Sequence, residues 1–136
     1  MNTVTEGILR SVKMASLFII SGDQKGDYYP LGFRTNVVGR DEALPIQVLD
    51  DSVSRKHLQI RYDRQQERYY ALDMKSRHGV SINNKKITEE TALADEDEIV
   101  IGQTTLLFTE KDFDDWESAL SHFKKVGERR RPTQTE

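Results

Sequence analysis

Asp51-Ser52-Val53-Ser54-Arg55-Lys56-His57 places two hydroxyls, two cations and an imidazole within one heptapeptide. A guanidinium offers a bidentate fork to a phosphate, and a serine hydroxyl adds a short hydrogen bond. The chemistry on offer is therefore the binding of a phosphate ester. Turn-forming Asp51 and Ser52 come first. Leu58-Gln59-Ile60-Arg61-Tyr62 follows and alternates apolar with polar, as a half-buried strand does. The heptapeptide reads as a loop entering a strand, and a loop on a rigid sheet can hold donors in fixed positions.

Two more stretches carry related groups: Gly39-Arg40, and Ser76-Arg77-His78-Gly79 ahead of Asn83-Asn84. Taken singly, Arg40 reads as a surface arginine after a turn and Ser54 as a plain turn residue. Taken together they read as ligand contacts, with Lys56 left in solvent. The three histidines, His57, His78 and His122, lack metal-ligand spacing. No nucleophile elbow or P-loop is present. The expectation is no metal, no cofactor and no enzymatic activity.

Short patterned runs must position these loops. Strands are expected over 17–20, 28–31, 35–38, 46–49, 57–62, 68–73, 80–82, 85–87, 98–101 and 104–109. Pro30 places the second at an edge. In 68–73, Tyr70 and Leu72 share a face. Asn83-Asn84 tolerates positive φ and suits a tight hairpin; Gly102-Gln103 makes another. Residues 89–98 hold six acids and no base, and read as a solvated loop. About ten short strands with frequent turn signals predict an all-β fold, a two-sheet β-sandwich.

The pattern changes after residue 110. Phe113, Trp116, Leu120 and Phe123 recur at three- and four-residue steps, which makes one apolar stripe on a helix over 111–127, expected to pack on or beside the sandwich, with a partner-binding helix as the alternative. Asp112, Asp114 and Asp115 crowd its start, Lys124 and Lys125 its end, and Gly127 stops it. Residues 1–15 read as a flexible lead-in, 16–110 as the sandwich, and 128–136 as a basic disordered tail.

The totals set limits. A chain of 136 residues supports one domain with a small appendage. Net charge is −3, so the overall field does not attract polyanions. Nucleic acid is not an expected partner: the one basic run, Arg129-Arg130-Arg131, has no aromatic platform beside it. There is no cysteine, which excludes disulfides and thiolate metal sites. The apolar run 14–20 is short and soon followed by Asp23, Lys25 and Asp27. It reads as a buried strand, not a signal or membrane span, and the expected compartment is the cytoplasm.

Gly39-Arg40, Ser54-Arg55-Lys56-His57 and Ser76–Gly79 before Asn83-Asn84, in that order, resemble the forkhead-associated (FHA) domain. The resemblance covers about residues 16–110. It implies a β-sandwich that binds phosphothreonine peptides and serves as a signalling adaptor. It implies that Arg40 contacts the phosphorylated peptide, that Ser54 bonds the phosphate, and that Arg55 adds charge. His57 would hold the phosphate loop, with Gly39 and Gly79 as structural support. Ser76 or Arg77 would supply a further phosphate contact, and the loop at His78 would clamp the peptide backbone.

The chain departs from the family at His78, where Asn is usual, and at Val80, where Thr is frequent. Imidazole carries its donor and acceptor on opposite parts of a ring, unlike an amide. Histidine keeps the turn, since it is among the residues enriched at positive φ, but alters the clamp. The implied partner is a phosphothreonine-bearing protein, a kinase substrate or the kinase itself. Self-binding of a phosphorylated terminus at Thr3, Thr5, Thr133 or Thr135 is a further expectation; a membrane partner is not. The alternative is an FHA-like module that binds proteins independently of phosphate, with a site degenerate at His78.

Overall fold

Period-two alternation decides where this chain pairs. The computed structural model describes residues 14–110 and, separately, Ser121. The readings made for 1–13, for the helix over 111–127 apart from Ser121, and for the tail 128–136 lie outside the described residues.

Eleven strands form: β1 Ser16–Ile19, β2 Tyr28–Pro30, β3 Asn36–Gly39, β4 Ile46–Gln47, β5 Leu58–Asp63, β6 Arg68–Asp73, β7 Val80–Ile82, β8 Lys85–Lys86, β9 Thr91–Ala92, β10 Glu98–Ile101 and β11 Thr104–Thr109. They make a six-stranded sheet in the order β2-β1-β11-β10-β7-β8 and a five-stranded sheet in the order β4-β3-β5-β6-β9. The expected two-sheet sandwich is what the chain builds. As expected, β2, with Pro30, lies at an edge, where a missing N–H breaks no ladder.

Leu17 and Ile19 of β1, Leu58 and Ile60 of β5, Tyr69 and Ala71 of β6, Ile99 and Ile101 of β10, and Leu106 and Phe108 of β11 form one buried core. In β6 the residues singled out from the sequence, Tyr70 and Leu72, do share a face, but it is the outer, half-buried one. The core face belongs to Tyr69 and Ala71. The acidic stretch 89–98 contains a strand, β9, that pairs with β6, and a fully buried Leu93. This corrects the reading of that stretch as a solvated loop throughout: two backbone-paired residues and one buried leucine suffice to close the sheet edge.

The registers gather the loops of interest at one pole. Val38 at the end of β3 pairs with Leu58 at the start of β5, and Leu58 pairs with Asp73 at the end of β6. Val80 at the start of β7 pairs with Ile101 at the end of β10. The connections 40–45, 48–57, 74–79 and 102–103 therefore leave the sandwich together. At the 83–84 hairpin, Asn83 and Asn84 have φ of 51° and 70°, the positive values expected of this pair.

The other pole is closed by Tyr69. Its hydroxyl donates to the Gly32 carbonyl at 2.6 Å and accepts from the Ala15 N–H at 3.3 Å, tying the start of β1 and the β2–β3 loop to β6. Tyr69→Phe removes both bonds from a buried site. Urea denaturation is expected to show a loss of about 1–3 kcal/mol; an unchanged midpoint would show that this hydroxyl does not hold the pole.

Candidate functional site

Gly39 is the first device. It is buried, and the backbone of the 48–57 loop lies against it: a Cβ there would meet the Arg55 carbonyl oxygen at 2.1 Å and the Ser54 carbonyl oxygen at 2.9 Å. Only a residue without a side chain allows that approach. The next two amides continue the contact. Arg40 N–H donates to the Ser54 carbonyl at 3.0 Å and Asp41 N–H to the Arg55 carbonyl at 3.3 Å. The Arg40 side chain adds a bond from Nε to the Val53 carbonyl at 2.9 Å. That spends one of five guanidinium N–H donors and fixes the group in place.

His57 is the second device, and it is fully buried. Its Nδ1 accepts from the Ser54 N–H at 3.0 Å, so its Nε2 carries the proton and donates to the Gly79 carbonyl at 2.7 Å. One ring thus fastens the 48–57 loop to the 74–79 loop. Arg77 N–H donates to the Ser54 hydroxyl oxygen at 3.0 Å and repeats the link outside. The Ser54 proton stays available for an acceptor.

Around these links lies an open cleft of about 220 Å³, lined by Arg40, Ser54, Arg55 and Arg77, with 51–53 completing its wall. That is far above the roughly 10–15 Å³ that holds one water. Among the described residues no carboxylate forms an ion pair with Arg40, Arg55 or Arg77. Three arginines and one acid, Asp51, line the cleft with the Ser54 hydroxyl, so the cleft is basic in a chain that is acidic overall.

The third loop separates the sequence candidates. The Ser76 hydroxyl donates to Asp73 Oδ1 at 2.6 Å and accepts from the Gly79 N–H at 2.9 Å. Asp73 Oδ1 also accepts the Ser76 N–H at 3.1 Å. Ser76 therefore shapes its own turn and does not line the cleft; Arg77 does. Gly79, at φ 80°, completes the turn. His78 is exposed, and it too stands outside the cleft lining. Lys56 is exposed as expected.

The roles of Asp50 and Asp73 were not read from the sequence, and Gly102 was read only as a hairpin residue. Asp50 Oδ1 accepts from the Ser52 N–H at 2.9 Å and hydroxyl at 2.6 Å; Oδ2 accepts from the Gln103 N–H at 2.9 Å and the Thr104 hydroxyl at 2.7 Å. This carboxylate staples the 48–57 loop to the β10–β11 turn. Gly102 permits the contact: it sits at φ 58°, and a Cβ would fall 2.6 Å from Ser52 Oγ. Asp50-x-Ser52 and Asp73-x-x-Ser76 are spacings of side-chain-to-backbone turns and could have been read from the chain. The reach from Asp50 to Gln103 could not. Among the described residues no group of three His, Asp or Glu side chains is placed to hold a metal ion.

The chain is a two-sheet sandwich with an arginine-lined cleft on its loop pole. The FHA-domain family profile matches residues 36–102. The FHA domain-containing protein FhaA of Mycobacterium tuberculosis is 34% identical over 85 residues, 62% of this chain and 16% of FhaA. The chain thus spans 16% of that relative's length. The crystal structure of the FhaA FHA domain complexed with the intracellular domain of Rv3910 is 31% identical, covers 69% of this chain and 98% of that one, and superposes with a TM-score of 0.61. A domain solved in an analysis of phosphothreonine-dependent FHA interactions is 29% identical, with 74% and 99% of the two chains covered and a TM-score of 0.64. Mycobacterium tuberculosis EmbR, in complex with a low-affinity phosphopeptide, is 25% identical, with 83% and 30% covered and a TM-score of 0.67. The chain belongs to the FHA-domain family.

The Asp50 staple gives a pH signature. Partial burial works to raise its pKa, but the bonds from Ser52, Thr104 and Gln103 outweigh it and bring the pKa from 3.8 to about 2. A carboxylate with a lowered folded pKa stabilises the fold above its unfolded pKa; that share is lost as pH falls through the folded value. Urea midpoints measured from about pH 5 down to pH 2 should fall more steeply for the wild type than for Asp50→Asn. Parallel profiles would contradict the staple.

Proposed function

We propose that this domain binds phosphothreonine-containing peptides and acts as a signalling adaptor. The observation that carries the reading is the convergence of Arg40, Arg55, Arg77 and the Ser54 hydroxyl on one cleft, with no carboxylate paired to the three guanidiniums among the described residues. A phosphothreonine brings close to two negative charges and three acceptor oxygens. Charge-assisted bonds are worth about 1.5–3 kcal/mol each. Two or three of them sum to about 3–9 kcal/mol, so contacts to the flanking peptide must offset the entropic cost for affinity to reach micromolar order, about 8 kcal/mol.

The roles follow from position. Arg40, fixed by its bond to Val53, presents its remaining donors to the phosphate. Ser54 donates the proton left after accepting from Arg77. Arg55 and Arg77 supply charge from two further directions. Ser76 supports the site through the turn it shapes. His78 stands at the rim, where it meets the peptide chain and not the phosphate.

The same geometry supports binding without catalysis. Ser54 Oγ accepts from a backbone amide, and the neighbouring imidazole spends both nitrogens on backbone groups. That imidazole is therefore not free to activate the hydroxyl. The proposed partner is a phosphothreonine-bearing kinase substrate or the kinase itself, in the cytoplasm; the relatives whose complexes are known include one with a phosphopeptide and one with a protein's intracellular domain.

Fluorescence anisotropy with a phosphothreonine peptide and its unphosphorylated twin tests the reading. Binding is expected for the phosphorylated peptide alone. Arg40→Ala and Ser54→Ala should each weaken it by on the order of 10- to 100-fold. Equal binding of both peptides would point instead to a phosphate-independent interaction module.

A further inference from the structure

The loop pole carries a second cleft. Ile19 at the end of β1 pairs with Leu106 near the start of β11. The 20–27 connection therefore leaves the sandwich beside the 102–103 turn, at the same pole as the arginine-lined cleft. There residues 21–24, 49–50 and 103–104 line an open space of about 240 Å³, close in size to the 220 Å³ of the first. The two clefts share a wall. Asp50 lines the second, while the next two residues, Asp51 and Ser52, line the first. The bond from the Ser52 hydroxyl to Asp50 Oδ1, at 2.6 Å, folds this wall into one tight turn.

The apolar member of that wall is held outward. Gln24 Nε2 donates to the Gln47 carbonyl at 3.1 Å, and its Oε1 accepts from the Leu49 N–H at 2.7 Å. One side-chain amide thus ties the backbone on both sides of Val48. Val48 turns into the core at 0% exposed, and Leu49 turns out at 68%. A single exposed leucine is ordinary on a protein surface. This one lines a cleft that adjoins the arginine-lined one.

The second cleft is opposite in charge to the first. Asp23 and Asp50 line it, and no lysine, arginine or histidine does. Lys25, on the same connection, is exposed and outside the lining. Asp23 is exposed, and neither carboxylate forms an ion pair among the described residues. The groups bonded to Asp50 are neutral, so its charge remains. A lysine or arginine answers both features, since its methylene stem lies along apolar surface while its head stays in water beside a carboxylate. An extended peptide advances about 3.3 Å per residue, so about two or three residues carry it across one turn. Resting on the phosphothreonine reading, we propose that the second cleft takes a lysine or arginine side chain of the same peptide, about two or three residues from the phosphothreonine, its stem on Leu49 and its cation at Asp23. The preferred ligand then carries its anion in one cleft and a cation in the next.

Fluorescence anisotropy of the full chain tests this with phosphothreonine peptides that are otherwise alanine, lysine or glutamate being placed in turn at each flanking position. At one such position lysine is expected to bind about 2- to 10-fold tighter than alanine, and glutamate more weakly than alanine. Asp23→Lys should reverse that order, and Leu49→Ser should remove most of the gain from lysine. Phosphate-dependent binding with the three residues equal at every position would overturn the second cleft alone. So would a lysine preference that survives Asp23→Lys. Binding that ignores the phosphate would overturn the phosphothreonine reading, and this inference with it.

Discussion

One buried imidazole holds the functional pole together. His57 takes the Ser54 amide on one nitrogen and gives a proton to the Gly79 carbonyl with the other. The first loop enters β5 of the five-stranded sheet and the second enters β7 of the six-stranded sheet. The ring therefore joins the two layers at the pole where the arginine-lined cleft opens. Both of its partners are backbone groups, so it sets loop position and not merely side-chain contact. Buried polar groups demand such pairing, and a ring with one donor and one acceptor meets the demand in a single arrangement.

The charges divide along the same line. Two carboxylates near the pole, Asp50 and Asp73, are engaged by amides and hydroxyls within and between loops. They shape the loops and leave the arginines alone. Arg61, on the outer face of β5, shows the contrast: it is bound by Glu90 and Asp63, and the Glu90 bond raises its pKa above the ordinary arginine range. Among the described residues, Arg61 is neutralised by carboxylates of its own protein. Arg40, Arg55 and Arg77 form no ion pair among the described residues, and they line one open cleft. Net charge says little about such a site, because the field that matters is local and screened beyond about 8–10 Å.

Much of this was legible in the chain. Alternation exposed most strands within a residue or two, and the paired asparagines marked their hairpin through the positive φ they tolerate. Arg40, Ser54, Arg55 and His57 stood out by residue type, spacing and family resemblance. Other features were hidden for physical reasons. β9 is two residues long inside an acidic run, too short to show a period. The core face of β6 was masked because tyrosines occupy both faces and the small Ala71 marks the inside. Ser76 and Arg77 are neighbours with suitable chemistry; only the closure of the Asp73 turn assigns the hydroxyl to the turn and the guanidinium to the cleft. The staple from Asp50 to Gln103 and Thr104 joins residues more than fifty apart and has no local signature.

The central claim is that two loops, locked by one ring, form a single phosphate cradle. Amide chemical-shift mapping of the domain during titration with a phosphothreonine peptide tests it most directly. The account predicts that the largest changes fall on Arg40, residues 52–55 and Arg77, in one common binding curve. Changes confined to one loop, or centred on a sheet face, would contradict it.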